Sequence, residues 1–520
     1  MSLYTSGQAR RSLIDTMTFR IVSQMATVVG YVVLVRGMTK EDFGVLNLLY
    51  AFIPFVSTVA SLGLEQTLRR YQPEYLRAGN LPAAAWLVRF VASARFGANV
   101  ILVSAILLCW NQVAPLFKLT PYRAEFLLLG LLVLVHLQAR VLELSLASHM
   151  LQRYSVGSLA VLAVVKLSVY CLLWWQDAFT LQHALIADIV AFAVAYAFLL
   201  AAYRRHCVPG PLEKPYRPEA LQRRRLLRYA AFNNFNDAGT LFLDRRLDSF
   251  FIAAIIDPVS VGIYAFYSRL SEMAVNLLPT RLFDNVVQPM FFAVDAESAE
   301  HRLPQYFSLL LNLNLVLLWP VLAFALVYHA EIVLGVFGGK FVEDSWLLPI
   351  IVVFELINAI GPPVGLVAQY EEKVDIILYS KIFGIYNVIA LVTLIPIFGI
   401  FGAALASGSA QAMKNGFIWW HVRKRGRWTN ATSALLSSLA LWGAIVVACL
   451  VLKAIVGSSP VLNLCGGLLM VAAGVLVHIR GPAISAADRA ILASVFHGKE
   501  LMVLRRLGLL ARARPAAGPG

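Results

Sequence analysis

The residues with the most chemical potential in this chain are charged ones lodged in apolar stretches. Between 229 and 256 run Asn233, Asp237, Thr240, Asp244 and Asp248, spaced so that one continuous helix would carry all five within an arc of about 80°. Arg245 and Arg246 fall to either side of that stripe. Between 262 and 290, Arg269, Glu272, Asn276, Thr280 and Asp284 share a second face, and near the N-terminus Arg20, Gln24, Thr27 and Tyr31 share a third. Glu355, Asn358 and Gln369 lie on one side of a further stretch. Lys166, Lys381, Lys414 and Asp188 are single charges in apolar surroundings. Such groups are costly in lipid and are expected to face one another across a hydrated space. The cations Arg20, Arg269, Lys166, Arg245, Arg246 and Lys381 would hold an anion there, phosphate above all, because the planar guanidinium fork donates paired hydrogen bonds to it. The carboxylates Asp188, Asp237, Asp244, Glu272 and Glu355 would bind a coupling ion or gate a movement. The competing reading is that the charges only pair with each other, and for Asp248 and Arg281, near expected helix ends, pairing or snorkelling is preferred.

Positioning these groups falls to helices that cross a membrane. Of the 520 residues 59% are apolar and only 14% charged, with mean hydropathy +0.72, which excludes an ordinary soluble domain and a disordered chain. Fourteen spans of about 20 apolar residues are expected: 14–36, 43–66, 85–110, 123–145, 155–175, 180–203, 229–256, 262–290, 306–337, 346–369, 375–398, 400–420, 432–456 and 461–479. The fold class is therefore an all-α polytopic membrane protein. Asp15 and Arg20 interrupt the first apolar run, so a cleavable leader is not expected. Cys109, Cys171, Cys207, Cys449 and Cys465 are scattered, with neither disulfide nor metal-ligand spacing; no metal or cofactor is expected.

The net charge of +15 is mainly a topology signal. With the N-terminus placed inside, 28 of the 44 Lys and Arg fall in cytoplasmic segments, 6 outside and 10 within helices. Both termini are thus expected in the cytoplasm, and nucleic acid is not an expected partner. The tail, about 483–514, alternates apolar residues with Arg489, Lys499, Arg505, Arg506, Arg512 and Arg514. It reads as an amphipathic helix on the anionic inner leaflet, or as a solvated helix with no lipid role.

A repeat organises the spans. Gly44, in Asp42-Phe-Gly-Val-Leu, and Gly262, in Ser260-Val-Gly-Ile-Tyr, are 218 residues apart. The Tyr203-Arg-Arg-His and His421-Val-Arg-Lys-Arg span ends keep that separation, and Gln72-Pro73 and Gln288-Pro289 stand 216 apart. Two parallel six-helix halves are expected, 1–210 and 211–428, as in transporters with parallel repeats. Two extra spans (429–480) and a basic tail (481–520) complete the chain.

Three stretches carry a family resemblance. Val35-Arg-Gly-Met-Thr-Lys-Glu-Asp-Phe-Gly is similar to a turn between the first two spans of Wzx-type flippases. Leu247-Asp-Ser-Phe-Phe-Ile-Ala-Ala-Ile-Ile-Asp-Pro-Val-Ser-Val-Gly-Ile-Tyr-Ala resembles a second stretch, and Ile395-Pro-Ile-Phe-Gly-Ile-Phe-Gly-Ala-Ala-Leu-Ala-Ser a third. Arg269-Leu-Ser-Glu272 is similar to an Arg-x-x-Glu of the lipid II flippase, in the same superfamily as the multidrug exporters. The resemblance covers spans one to twelve. It implies two six-helix bundles working by alternating access, without enzymatic activity, in the bacterial inner membrane. The substrate implied is an undecaprenyl-pyrophosphate-linked oligosaccharide for exopolysaccharide, O-antigen or capsule assembly. Arg20 and Arg269 would then contact the pyrophosphate, while Lys166, Arg245, Arg246 and Lys381 supply positive field. Tyr31 and Tyr264 would stack on sugars or, by preference, pack in the core, and the two extra spans would flank a groove for the prenyl tail. Membrane lipids, a polysaccharide polymerase and a co-polymerase are the implied partners of a monomer. Two rivals remain: a cation-coupled multidrug antiporter of the same fold, and a membrane glycosyltransferase or polymerase using the acidic pair Glu41-Asp42.

Overall fold

Lipid offers the backbone no hydrogen-bond partner, so a chain this apolar must satisfy its N–H and C=O groups within helices or a closed barrel. The computed structural model describes residues 6–208, 220–276, 296–423 and 431–481, with 278, 280, 488 and 489, and among them every regular element is helical. The chain divides into two units, Met1–Gly262 and Ile263–Gly520. The first holds α1 (Ser6–Gly37), α2 (Lys40–Ser61), α3 (Leu64–Arg77), α4 (Leu81–Leu108), the short α5 (Trp110–Val113), α6 (Arg123–Ser148), α7 (Gln152–Trp175), α8 (Leu181–His206), α9 (Ala220–Leu241) and α10 (Arg246–Ile255). The unit boundary falls within α11 (Pro258–Val275). The second unit continues with α12 (Ala296–Phe337), α13 (Leu347–Asn358), α14 (Gly361–Tyr370), α15 (Val374–Tyr379), α16 (Phe383–Phe398), α17 (Ile400–Arg423), α18 (Ala431–Val456) and α19 (Pro460–Arg480).

Local chemistry sets several of these boundaries. Thr39 is extended and its hydroxyl accepts from the Asp42 N–H at 3.0 Å, starting α2; Asn80 does the same for α4 and Thr180 for α8. Leu62 and Gly63 both have positive φ, which separates α2 from α3. A side chain at Gly63 would collide with the Ala230 carbonyl of α9. Outward faces are apolar, as lipid requires: on α1, Ile21, Val22, Met25, Val28 and Val29 are exposed, whereas Arg20, Gln24, Thr27 and Tyr31 are half-buried.

Eleven of the fourteen expected spans correspond to helices long and apolar enough to cross a membrane, among the described residues. The other three fall short for identifiable reasons. The stretch 229–256 is broken by a turn at 242–245 between α9 and α10. The stretch 262–290 is described only through α11 and scattered positions after it. The last, 400–420, is the continuous helix α17, made less apolar by Gln411, Lys414 and Asn415.

In the second unit α18 and α19 pack on α12 through buried polar contacts. The Tyr328 hydroxyl donates to the Cys449 carbonyl at 3.2 Å, and Lys453 bridges Glu331 at 2.6 Å and the Val327 carbonyl at 2.9 Å. Trp442 Nε1 donates to His478 Nδ1 at 2.9 Å, and Ser438 Oγ lies 3.0 Å from His478 Nε2. Indole is a donor only, so His478 must accept at Nδ1 and carry its proton on Nε2. Trp442→Phe strands that acceptor in a buried site and is expected to cost about 1–3 kcal/mol. Thermal unfolding of the detergent-solubilised variant should therefore begin at lower temperature; an unchanged melting point would show that the indole bond does not hold α18 to α19. Of the stretch 483–514, only Asp488 and Arg489 are described. Asp488 accepts from Asn312 of α12 at 3.1 Å, and Arg489 Nη2 reaches the Ile479, Arg480 and Gly481 carbonyls at 3.1–3.3 Å, capping α19. The remainder of the expected amphipathic stretch lies outside the described residues.

Candidate functional site

Inside the first unit, α7 and α8 bring Lys166 and Asp188 together with their ammonium and carboxylate 2.7 Å apart. Asp188 Oδ1 also accepts from the Tyr170 hydroxyl, one turn along α7 from Lys166, at 2.8 Å. Oδ2 accepts from the hydroxyl of Tyr50 on α2. The ammonium lies 5.6 Å from the Tyr50 ring centre and 5.2 Å from that of Tyr170, where the ring faces attract it. Exposure is unequal: the Asp188 side chain is 3% exposed and the Lys166 side chain 30%. The carboxylate thus accepts three hydrogen bonds in a buried site, while the ammonium in front of it remains about one-third exposed.

A second polar network joins α3, α4 and α6. Glu65 accepts from Arg140 Nε at 3.1 Å and Arg69 Nη2 at 3.3 Å, and lies 3.9 Å from Arg95 Nη2. Arg140 Nη1 also donates to Glu143, at 3.0 Å, and Ser158 Oγ closes the chain at 3.4 Å. Arg95 is fully buried, and its Nε and Nη1 meet no acceptor among the described residues. Arg140, one of the 28 cations counted as cytoplasmic although it falls inside the expected span 123–145, stands within α6, half-buried.

The turn at 242–245 overturns the single stripe expected on 229–256, because α9 and α10 are separate helices. The Asp244 carboxylate accepts from the Arg246 N–H at 2.9 Å, so it starts α10 instead of lining a continuous face. Arg246 is exposed and Asp248 fully buried. The Asp237 and Thr240 side chains, and Arg281 and Asp284, lie outside the described residues.

In the second unit Arg269 Nη1 donates to Glu272 at 3.0 Å, one turn apart on α11, both side chains partly exposed. Tyr264, on the same helix, is buried, while Tyr31 of the first unit touches the Phe43 ring. Lys381, in the short 3-10 turn Ser380–Ile382, is near enough to repel Lys414 of α17. Asn415 donates to Asn358 at 3.0 Å. Arg20, Arg245, Lys381 and Glu355 are each engaged by a neighbouring group. The acidic pair weighed for catalysis occupies the first turn of α2, where carboxylates complement the helix dipole. Glu41 accepts from the Tyr122 hydroxyl at 3.4 Å; burial, with Glu41 and Asp42 nearby, raises the Tyr122 phenol above its usual range.

Sequence reasoning missed Tyr50, Tyr170, Glu65, Arg95 and Glu143. The tyrosines are uncharged, and a search for intramembrane charges passes over them. Glu65 and Glu143 stand near span ends, where a carboxylate raises no alarm. Arg95 had a signal, a lone arginine midway through an apolar run, and it was counted without being assigned a place.

The geometry can be set beside known proteins. No curated protein matches the sequence significantly. Among solved structures, the lipid II flippase MurJ in an inward closed conformation is similar with a TM-score of 0.68 at 10% identity, over 89% of this chain and 98% of that one. An inward-facing MATE-family multidrug resistance transporter of the MOP superfamily gives 0.62 at 12% identity, over 79% and 98%. A MOP superfamily transporter from Pyrococcus furiosus, described by a binding pocket of reverse polarity, gives 0.53 at 13% identity, over 79% and 94%. At such identities the likeness concerns the fold, and it bears out the all-α polytopic architecture. The profile of the polysaccharide biosynthesis protein family matches residues 10–294, more than half of the sequence, and the chain belongs to that family.

Proposed function

We propose that this protein flips undecaprenyl-pyrophosphate-linked oligosaccharide repeat units across the bacterial inner membrane by alternating access. It supplies exopolysaccharide, O-antigen or capsule assembly, both termini face the cytoplasm, and no chemical step is catalysed. Family membership over residues 10–294, combined with cations inside the spans, supports this reading. The observation that carries it is the state of those cations. Lys166 gives one bond to Asp188 and Arg269 one to Glu272, and no further oxygen among the described residues accepts from either. A pyrophosphate esterified at both ends bears two negative charges and several acceptor oxygens, which such donors fit. Arg269 and Arg20 are assigned to the pyrophosphate, with Lys166, Arg245, Arg246 and Lys381 supplying field. Membrane lipids surround the monomer, and a polymerase with its co-polymerase takes up the product.

The likeness to a MATE-family transporter favours a second reading, a cation-coupled drug antiporter. Deleting the gene in its own host separates the two. Loss of surface polysaccharide, with lipid-linked oligosaccharide accumulating on the cytoplasmic leaflet and unchanged drug sensitivity, is expected. Intact polysaccharide together with sensitivity to cationic dyes would transfer the assignment to the antiporter.

A further inference from the structure

We propose that Lys166 is shared between Asp188 and the anionic substrate, so that capture of phosphate by Lys166 is matched by protonation of Asp188. This rests on the reading of the chain as a carrier of a pyrophosphate-linked substrate and adds a proton-coupling step confined to the first unit.

The argument begins with the unequal exposure of the pair. Asp188 is enclosed and takes hydrogen bonds from Tyr170, Tyr50 and Lys166, the last at 2.7 Å. Lys166 stands in front of it, accessible, with one of its three N–H donors used. An anion approaching this wall therefore meets the ammonium first. Phosphate oxygens compete with the Asp188 carboxylate for the same cation, and as the ammonium turns toward them the carboxylate loses the one positive partner it has among the described residues. Two neutral hydroxyls remain on it. A buried carboxylate without a counter-ion is costly, and it regains neutrality by taking up a proton.

Among the described residues no other cation contacts the Asp188 carboxylate. From α2 comes Tyr50, and from α7 Lys166 and Tyr170. On α6, Glu125 is held by Gln182 at 2.8 Å, and the His136 ring rests against Phe192; neither contacts Asp188. On α8 itself His183 is bound to Thr180 and the Ala178 carbonyl at its outer end. A metal cation would have to displace the three donors from which the carboxylate already accepts and bring further oxygen ligands with it. The proton fits because it needs a single oxygen. Substrate binding and proton binding are then reciprocal: a fall in pH tightens the anion, and the anion draws in a proton. With the proton aboard, the loaded carrier moves one negative charge fewer.

The test uses the full-length protein in lipid nanodiscs and a soluble probe, glucose joined to farnesol through a pyrophosphate. Both phosphates are esterified, so the probe does not titrate near neutral pH. Calorimetry in buffers of different ionisation enthalpy reports the protons exchanged on binding. Wild-type protein should take up about one proton per probe at pH values where Asp188 is otherwise ionised. Asp188→Asn should still bind, several-fold more tightly because Lys166 is released, and take up none. Lys166→Met should weaken binding at least tenfold. Should Asp188→Asn fold poorly, Lys166→Met serves as the second variant: without the shared ammonium, whatever probe still binds should draw in no proton. Binding by the wild type without proton uptake, or uptake that persists in Asp188→Asn, overturns the exchange and leaves the carrier reading standing. Failure of the wild type to bind the probe brings down the pyrophosphate reading and the exchange with it.

Discussion

Arg269→Lys should reach the membrane at the wild-type level and lose most export, a drop on the order of tenfold or more from the loss of a bidentate phosphate contact. The geometry around Arg269 makes this a clean experiment. One nitrogen, Nη1, donates to Glu272 at 3.0 Å, and the two side chains are 41% and 35% exposed. An exposed pair one turn apart on a helix contributes about 0–1 kcal/mol. Arg269→Ala should therefore also fold, because the Glu272 it leaves behind stays accessible. If the pair were only structural, lysine would replace arginine with little consequence, since a single bond to a carboxylate asks for charge and not for shape. If arginine grips a pyrophosphate, the planar fork is the functional part and lysine fails. The measurements are protein level by immunoblot, surface polysaccharide, and the leaflet in which the lipid-linked oligosaccharide accumulates. Normal export by Arg269→Lys retires this residue as a substrate ligand and leaves the family assignment untouched. Glu272→Gln provides the complementary control: with its partner neutralised the guanidinium is freer, so export should persist.

How far the chain could be read in advance depended on the kind of signal each residue carries. Apolar length is a strong signal, and eleven expected spans have counterpart helices. The break at 242–245 was hidden because helical periodicity can run through a turn unnoticed. Thr240, Asp244 and Asp248 keep a face on paper, yet the Asp244 carboxylate bonds to the Arg246 N–H and restarts the helix as α10. Side-chain hydrogen bonds of this local kind have no apolar period to betray them. Pairing across helices was equally invisible. Lys166 and Asp188 were each legible as isolated charges, but their meeting depends on how α7 lies against α8, and the two tyrosine hydroxyls completing the cluster look like ordinary aromatic core. Arg140 is misplaced for a different reason: it falls inside the expected span 123–145 yet is counted with the cytoplasmic cations, and α6, which runs from Arg123 to Ser148, holds it within the helix. Glycines inside helices carry a different signal, because they mark places where another backbone comes close. Gly44 and Gly262, singled out by their spacing, are packed against each other.

That packing leads to the second large expectation. In the first unit α2 and the start of α11 approach so closely at these two positions that neither helix has room for a side chain. A Cβ on Gly262 would lie 2.8 Å from the Gly44 Cα and 3.0 Å from its nitrogen. A Cβ on Gly44 would lie 2.7 Å from the Pro258 carbonyl carbon and 3.0 Å from the Val259 Cα. All four contacts are with backbone, which cannot swing aside as a side-chain tip can, so the helices must separate. Overpacking of a fitted core costs about 1–3 kcal/mol, and a rigid backbone neighbour puts Gly44→Ala at or above the top of that range. Gly97 of α4 supplies the contrast: nothing lies within 4 Å of its would-be Cβ. There alanine should be neutral or stabilising by up to about 1 kcal/mol, since glycine within a helix has more conformational freedom to lose. Melting of the purified proteins in one detergent should rank Gly97→Ala at or above wild type, Gly262→Ala below it and Gly44→Ala lowest. Combining Gly44→Ala with Gly262→Ala should cost less than the two single losses added, because helices already forced apart by one methyl group have room for the second. Strict additivity would mean that each glycine is required by something other than this crossing, and a wild-type melting point for Gly44→Ala would mean that the close approach of α2 to α11 is not part of the folded protein.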